Sequence, residues 1–413
     1  MSFLKGLLIL AALAGGGHAL AWHFVDGGLV NGINYDQSQG AQYPQLAVFN
    51  DQLYAAWDES CTYSFSGQAG NCIHVSAYNG SGWSLVDGGT AEGLFPGGNP
   101  RMAVFNGKLY LTWWVNNGTA DQIRVAAFDG SSWSFADGGA SNGINYDPSK
   151  NAGSPALAVF NGKLYATWAE GNASASQIRV RAYDGSIWTW ADGGTANGIN
   201  YSSSEDALDP RLAVLNNTLY ATWKENSGAG NSAPSQIRVK AYNGSSWAWE
   251  DGGTANGIDY DPTENAFSPE LDAYNGMLYV TWAEYTGPYI YSPVQIRVKA
   301  YNGSVWTWED GGIANGINYD PSRNAGDPEF AVFNNMLYAA WWEDNGYGPQ
   351  IRVKAYNGSS WAWEDDGLVN GINYDPTEAA QYPQLAAFDN KLYATWQELN
   401  WSGVSQIRVK AGQ

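Results

Sequence analysis

Leu337-Tyr338-Ala339-Ala340-Trp341 is one of seven copies of Leu-Tyr-x-x-Trp, whose tryptophans stand at Trp57, Trp113, Trp168, Trp223, Trp282, Trp341 and Trp396, 55 to 59 residues apart. A repeat of this length with several strand-like segments and no helical period marks a β-propeller blade, whose small sheet buries its faces against its neighbours. Seven copies predict an all-β chain folded as a seven-bladed β-propeller of four-stranded antiparallel blades. Blades touch mainly their neighbours, so a ring of 413 residues remains one domain although it exceeds the usual size of a single core. The 50 Gly, 21 Trp and 26 Tyr suit many short strands joined by tight turns.

Residues 310 to 363 show how one repeat is built. A long loop, Asp310 to Pro328, precedes a short inner strand, Phe330 to Phe333, and Asn334-Asn335 turns the chain into a second strand, Leu337 to Trp341. After a variable loop, Gln350 to Tyr356 alternates apolar and polar residues as the third strand, and Asn357-Gly358 leads to an outer strand bearing Trp361 and Trp363. Asn-Gly supplies the positive φ of two-residue turns at both hairpins. These turns fall on one face. The opposite face carries the variable loops and the long Asp-Gly-Gly-x-x-Asn-Gly-Ile-Asn-Tyr-Asp-Pro connections, and function is expected there.

The chain ends at Gln413, after the third strand of the seventh repeat, while Trp22-His-Phe24-Val-Asp-Gly-Gly28 matches Trp361-Ala-Trp363-Glu-Asp-Asp-Gly367. The N-terminal strand is therefore expected to complete the last blade and remove two exposed edges. Before it, Lys5, the apolar stretch Leu7 to Ala14 and the small residues Ala19-Leu20-Ala21 read as an export signal over residues 1–21, leaving a secreted domain of residues 22–413. That stretch is too short to span a bilayer, and no later segment is long and uncharged enough. In an oxidising compartment Cys61 and Cys72, in one loop of the first repeat, are expected to pair. A net charge of -20 excludes binding to a phosphate backbone.

Six blades carry Glu two residues after the motif Trp, among them Glu59, and five carry Arg on the next strand. Such repetition predicts cross-strand Glu–Arg pairing rather than a catalytic pair, which needs two carboxyls in different environments. Symmetry breaks in blades one and two: His74 replaces the Arg, Val115 replaces the Glu opposite Arg124, and the inter-blade loop shortens to Gly93–Gly98. This sector, with Arg101 and Trp114, is the place for a unique site, unless the differences are drift. The long loops are dense in oxygen ligands, including Asp251, Asp259, Asp261, Asp310 and Asp320. Calcium accepts such ligands, while turn formation is their competing role; no cofactor is otherwise required. Aromatic residues in the variable loops, Tyr285, Tyr289, Tyr291, Tyr347 and Trp401, have no repeat-wide packing role and suit stacking on sugar rings.

Leu219-Tyr-Ala-Thr-Trp-Lys-Glu225 followed by Gln236-Ile-Arg-Val-Lys-Ala-Tyr-Asn-Gly-Ser-Ser-Trp247 resembles repeats of exported bacterial proteins, and the architecture resembles propeller lectins. That resemblance implies multivalent sugar binding between blades. The leading expectation is a non-catalytic extracellular protein that binds glycans on the long-loop face, where several weak sites raise avidity. An alternative is a filament subunit whose N-terminal strand inserts into the next molecule. A third is a polysaccharide hydrolase or lyase with its site at blades one and two, dependent on Glu59 and Arg124.

Overall fold

The computed structural model describes residues 19–28, 31–62, 69–228, 233–287 and 292–413. Seven antiparallel sheets follow one another around a central axis, the first six with their strands in sequence order from axis to rim. The first blade adds one short strand, Phe95–Pro96, to its third strand. In the seventh sheet Trp22–Phe24 pairs with Ser405–Gly412, so the strand that filament assembly would exchange closes the ring of its own chain. Residues 1–18 of the expected export signal lie outside the described residues. Leu20 and Ala21 contact the last blade: the Leu20 amide donates to Glu364 at 2.9 Å and the Ala21 amide to the Gln413 carbonyl at 3.2 Å.

The type repeat folds as Ala325–Phe333, Met336–Asp344, Pro349–Tyr356 and Trp361–Trp363. Its inner strand thus starts five residues before the expected Phe330. The strand accommodates Pro328 in a β-bulge: Gly326 pairs with Trp342, then Glu329 with Ala340, leaving Asp327 and Pro328 opposite Trp341. Asn334 and Asn335 have φ of 47° and 58°, as a two-residue hairpin requires. The second hairpin is longer than expected. Its loop spans Asn357 to Ser360; the Asn357 side chain accepts the amides of Ser359 and Ser360, and only Gly358 takes a positive φ.

The motif tryptophans are at most 1% exposed and pack against the preceding blade, as Trp341 does against Ile296 and Val298. Glu and Arg do not pair across strands. Glu343 accepts the Tyr319 and Asp320 amides at 2.9 and 2.6 Å and the Trp341 indole N–H at 2.9 Å, so it anchors the incoming loop. Arg352 instead pairs with Asp365 of the outgoing loop at 2.6 Å and lies over the rings of Tyr319 and Trp363. The physical reason is reach: Arg352 stands opposite Trp341 and Glu343 opposite Gln350, so each charge is closer to a loop than to the other.

The first tryptophan of every outer strand reaches one blade back. Trp83, Trp133, Trp188, Trp247, Trp306 and Trp361 donate to the carbonyls of Val25, Val86, Ala136, Ala191, Glu250 and Glu309 at 2.7 to 3.1 Å. In the seventh blade that position is taken by Trp22, which donates to Glu364 at 2.7 Å in the same way. Every junction, including the closing one, thus carries the same hydrogen bond.

Candidate functional site

The bulge recurs in all seven inner strands, each time at an x-Pro-x triplet. The residue before each proline takes a positive φ of 48 to 55°: Tyr43, Asn99, Ser154, Asp209, Ser268, Asp327 and Tyr382. Left-handed backbone at seven residues other than glycine stores strain, and bulges re-aim the side chains they carry. Here they line a cavity of about 280 Å³ on the propeller axis, together with residues that follow the prolines. Inner strands run from the long-loop face to the tight-turn face, so the layer before the prolines lies nearer the long loops.

These positions differ from blade to blade, while the rest of the repeat stays nearly constant. In the layer before the prolines, Ser154 donates to Asp209 and Ser268 to Asp327, both at 3.1 Å. Lys224 pairs with Asp209 at 2.9 Å, the Trp342 indole N–H meets Asp327 at 2.9 Å, and the rings of Tyr43 and Tyr382 lie 4.7 Å apart. In the layer after them, Arg211 pairs with Glu270 at 2.8 Å, and Gln384 donates to Glu329 at 2.8 Å. Two residues further along each strand six blades carry Ala and one carries Asp272, whose carboxyl burial pushes up to about 6.

Electrostatics divide the carboxyls of the cavity. Burial, with the negative charge of Glu270 adding to it, pushes Glu329 well above the ordinary carboxylate range, against the opposing pull of Arg211 and Arg101. Burial also raises Asp327, against hydrogen bonds from Trp342 and Ser268. For Asp209 burial acts upward too, but Lys224 and Arg211 outweigh it and hold the group low. The cavity therefore sets a carboxyl biased toward its protonated form beside a carboxylate held by an arginine.

Of the residues singled out from sequence, Arg101 alone lines this cavity. Glu59 is a loop anchor like Glu343, accepting the amides of Tyr35 and Asp36 and the Trp57 indole N–H. Arg124 pairs with Asp137 at 2.5 Å, so Val115 leaves it no vacancy. His74 lies 2.8 Å from Asp87 and stacks on Tyr35. Trp114 packs into the core between blades two and three, and Tyr285 against Phe267. Tyr347 and Trp401 are exposed rings on the long-loop face, at 85% and 74%. Tyr289 and Tyr291 lie outside the described residues. Arg124 and Val115 also line a separate cavity of about 190 Å³ with Phe95 and Phe135, and Cys61 and Cys72 form the disulfide of blade one.

The loop carboxylates are likewise engaged one by one. Asp251 and Asp310 pair with Arg238 and Arg297 at 2.9 and 3.0 Å. Asp259 accepts the Ile237 amide, and Asp261 and Asp320 cap the turns at Thr263 and Ser322. Among the described residues no group of three or more His, Cys, Asp or Glu is placed to hold a metal ion.

No family model and no curated protein matches the chain. Among solved structures it is similar to the polysaccharide lyase PL25 ulvan lyase, with a TM-score of 0.59 and 10% identity over 90% of this chain and 93% of that one. A structure of PL25 ulvan lyase bound to -[GlcA(1-4)Rha3S]- matches with a TM-score of 0.57 and 11% identity, over the same shares. Identity this low establishes a shared fold.

Glycan binding without catalysis, expected from the near-identical repeats, is overturned by two findings. The two solved propellers compared above are polysaccharide lyase structures. The premise of equivalent blades also fails at the axis, where unlike residues converge on one cavity. Sequence reasoning missed Tyr43, Asp209, Arg211, Glu270, Asp327, Glu329 and Tyr382, although blade-to-blade variation beside an invariant proline was the available signal.

Proposed function

We propose that the protein is a polysaccharide-cleaving enzyme with its active site in the axial cavity, Glu329 serving as proton donor and Glu270 as its ionised counterpart. The carrying observation is the pair itself: Glu329, which lines the cavity, is pushed toward its protonated form, and Glu270, whose negative charge acts on it, is ion-paired with the cavity-lining Arg211. A neutral acid beside an ionised carboxylate is the division of labour that glycosidic-bond cleavage uses. The Tyr43 and Tyr382 rings offer stacking surface for a sugar in the same cavity. Similarity to ulvan lyase structures adds support, since that propeller acts on a polysaccharide. The disulfide supports action outside the cytoplasm.

The test is a polysaccharide panel assayed both for new reducing ends and for the ultraviolet absorbance of an unsaturated sugar product, which separates hydrolysis from elimination. Glu329→Gln is expected to lower kcat on the order of a hundredfold or more while the thermal unfolding curve stays in place. Wild-type activity is expected to decline as pH rises through the elevated Glu329 pKa. Cleavage by Glu329→Gln at the wild-type rate, or no cleavage of any polymer by the wild type, would remove the proposal.

A further inference from the structure

Arg101 and Arg211 occupy the same place in blades two and four, one residue after the bulge proline, and both line the axial cavity. Their surroundings differ. Arg211 meets Glu270 at 2.8 Å, and the third cation of this region, Lys224, meets Asp209 at 2.9 Å. Arg101 has no carboxylate within ion-pair distance among the described residues. Its Nη1 donates to the Asn99 side-chain oxygen at 2.9 Å and to the Pro100 carbonyl at 3.0 Å, and no hydrogen bond engages Nε or Nη2 there. Asn99 is itself fixed, its amide donating to the Asp58 carboxylate at 2.8 Å.

Burial and then the positive charge of Arg211 push the Arg101 guanidinium down to about 10, so it stays charged at neutral pH. Glu329, the carboxyl best placed to neutralise it, is biased toward its uncharged form. A half-buried, anchored guanidinium with free N–H groups facing a cavity is costly in the empty protein, and a bound oxyanion offsets that cost through charge-assisted hydrogen bonds. Arg suits the task because its planar fork grips two oxygens at once. The chain as a whole carries a net charge of -20 and repels polyanions, so recognition of one depends on this local cation.

We propose that Arg101 binds an anionic group on the sugar chain, which makes the substrate a polysaccharide bearing carboxylate or sulfate groups. This rests on the axial cavity being the site of cleavage. The experiment titrates full-length wild type, Arg101→Gln and Arg101→Lys with oligosaccharides of polygalacturonate (carboxylate only), carrageenan (sulfate only) and cellulose (neutral), at two salt concentrations, alongside cleavage assays. Wild type is expected to bind one of the anionic sets in preference to the neutral one, and the set it binds names the group recognised. Arg101→Gln is expected to weaken that binding on the order of tenfold or more and to flatten its salt dependence, with partial recovery in Arg101→Lys.

Binding of the anionic set by Arg101→Gln as tightly as by wild type, a wild-type preference for the neutral set, or no wild-type binding at all overturns the proposal. The two readings fail separately. If Glu329→Gln abolishes cleavage while Arg101→Gln changes neither binding nor KM, only the role of Arg101 falls. If anion binding depends on Arg101 but the wild type cleaves nothing, only the enzyme reading falls.

Discussion

At the scale of single residues, the informative positions are those that depart from the repeat. In five blades the inter-blade loop carries Asn at Asn34, Asn145, Asn200, Asn318 and Asn373, and its side chain works twice. The Asn318 oxygen accepts the Ile296 amide at 2.8 Å while its NH2 donates to the Val294 carbonyl at 3.2 Å. Blade five has Asp259 instead. Its Oδ1 accepts the Ile237 amide, but its Oδ2 is buried without a partner, and burial together with the charge of Glu284 pushes the group well above its ordinary pKa. A folded pKa raised in this way contributes stability below the unfolded value of 3.8 and loses it as pH rises through the folded value. Asp259→Asn restores the missing donor and removes that loss. The expected gain at neutral pH is about 1–3 kcal/mol in a denaturant titration. An unchanged or lower midpoint would show that the orphaned oxygen costs nothing.

At the scale of elements, the inter-blade tryptophans set the strength of the ring. Trp306 and Trp22 make equivalent bonds to the preceding blade, one inside the ring and one at its closure. Replacing either with Phe keeps the ring and deletes one hydrogen bond, so each change is expected to cost about 1 kcal/mol in denaturant unfolding. A much smaller cost for Trp22→Phe would mean that the closing strand frays. The outer strands were legible because Trp at alternate residues and a preceding Asn-Gly turn are local signals. The inner strands were legible only in part. Proline removes a ladder donor and reads as a strand breaker, which moved the expected start of the type strand to Phe330. That reading left Asp327 and Glu329 outside the strand, although both line the axial cavity. The axial site was hidden because a bulge depends on pairing with the next strand, and convergence on an axis depends on all seven blades at once. Neither is a property of a local segment.

At the scale of the whole molecule, charge and burial combine in an unusual pH response. The loop-anchoring carboxyls Glu59, Glu170, Glu225, Glu284, Glu343 and Glu398 are all raised above 4.5, chiefly by burial. Each therefore contributes stability that is complete below about pH 4.5 and is lost as pH rises through its folded value. Acidification also lowers the self-repulsion of a chain whose net charge is -20 at neutral pH. Both effects strengthen the fold as pH falls from 7 toward 5. The exposed turn-capping carboxylates Asp36, Asp147, Asp261, Asp320 and Asp375 act the other way. Hydrogen bonds from Ser or Thr lower them, so their contribution is present above 3.8 and lost as pH falls further. Maximal stability is therefore expected between about pH 4 and 5, on the acid side of the usual range of pH 5 to 8. Denaturant midpoints measured from pH 7 down to 3 are expected to rise and then fall. A steady decline from pH 7 would mean that the buried glutamates are held ionised by their loop amides more strongly than burial opposes them.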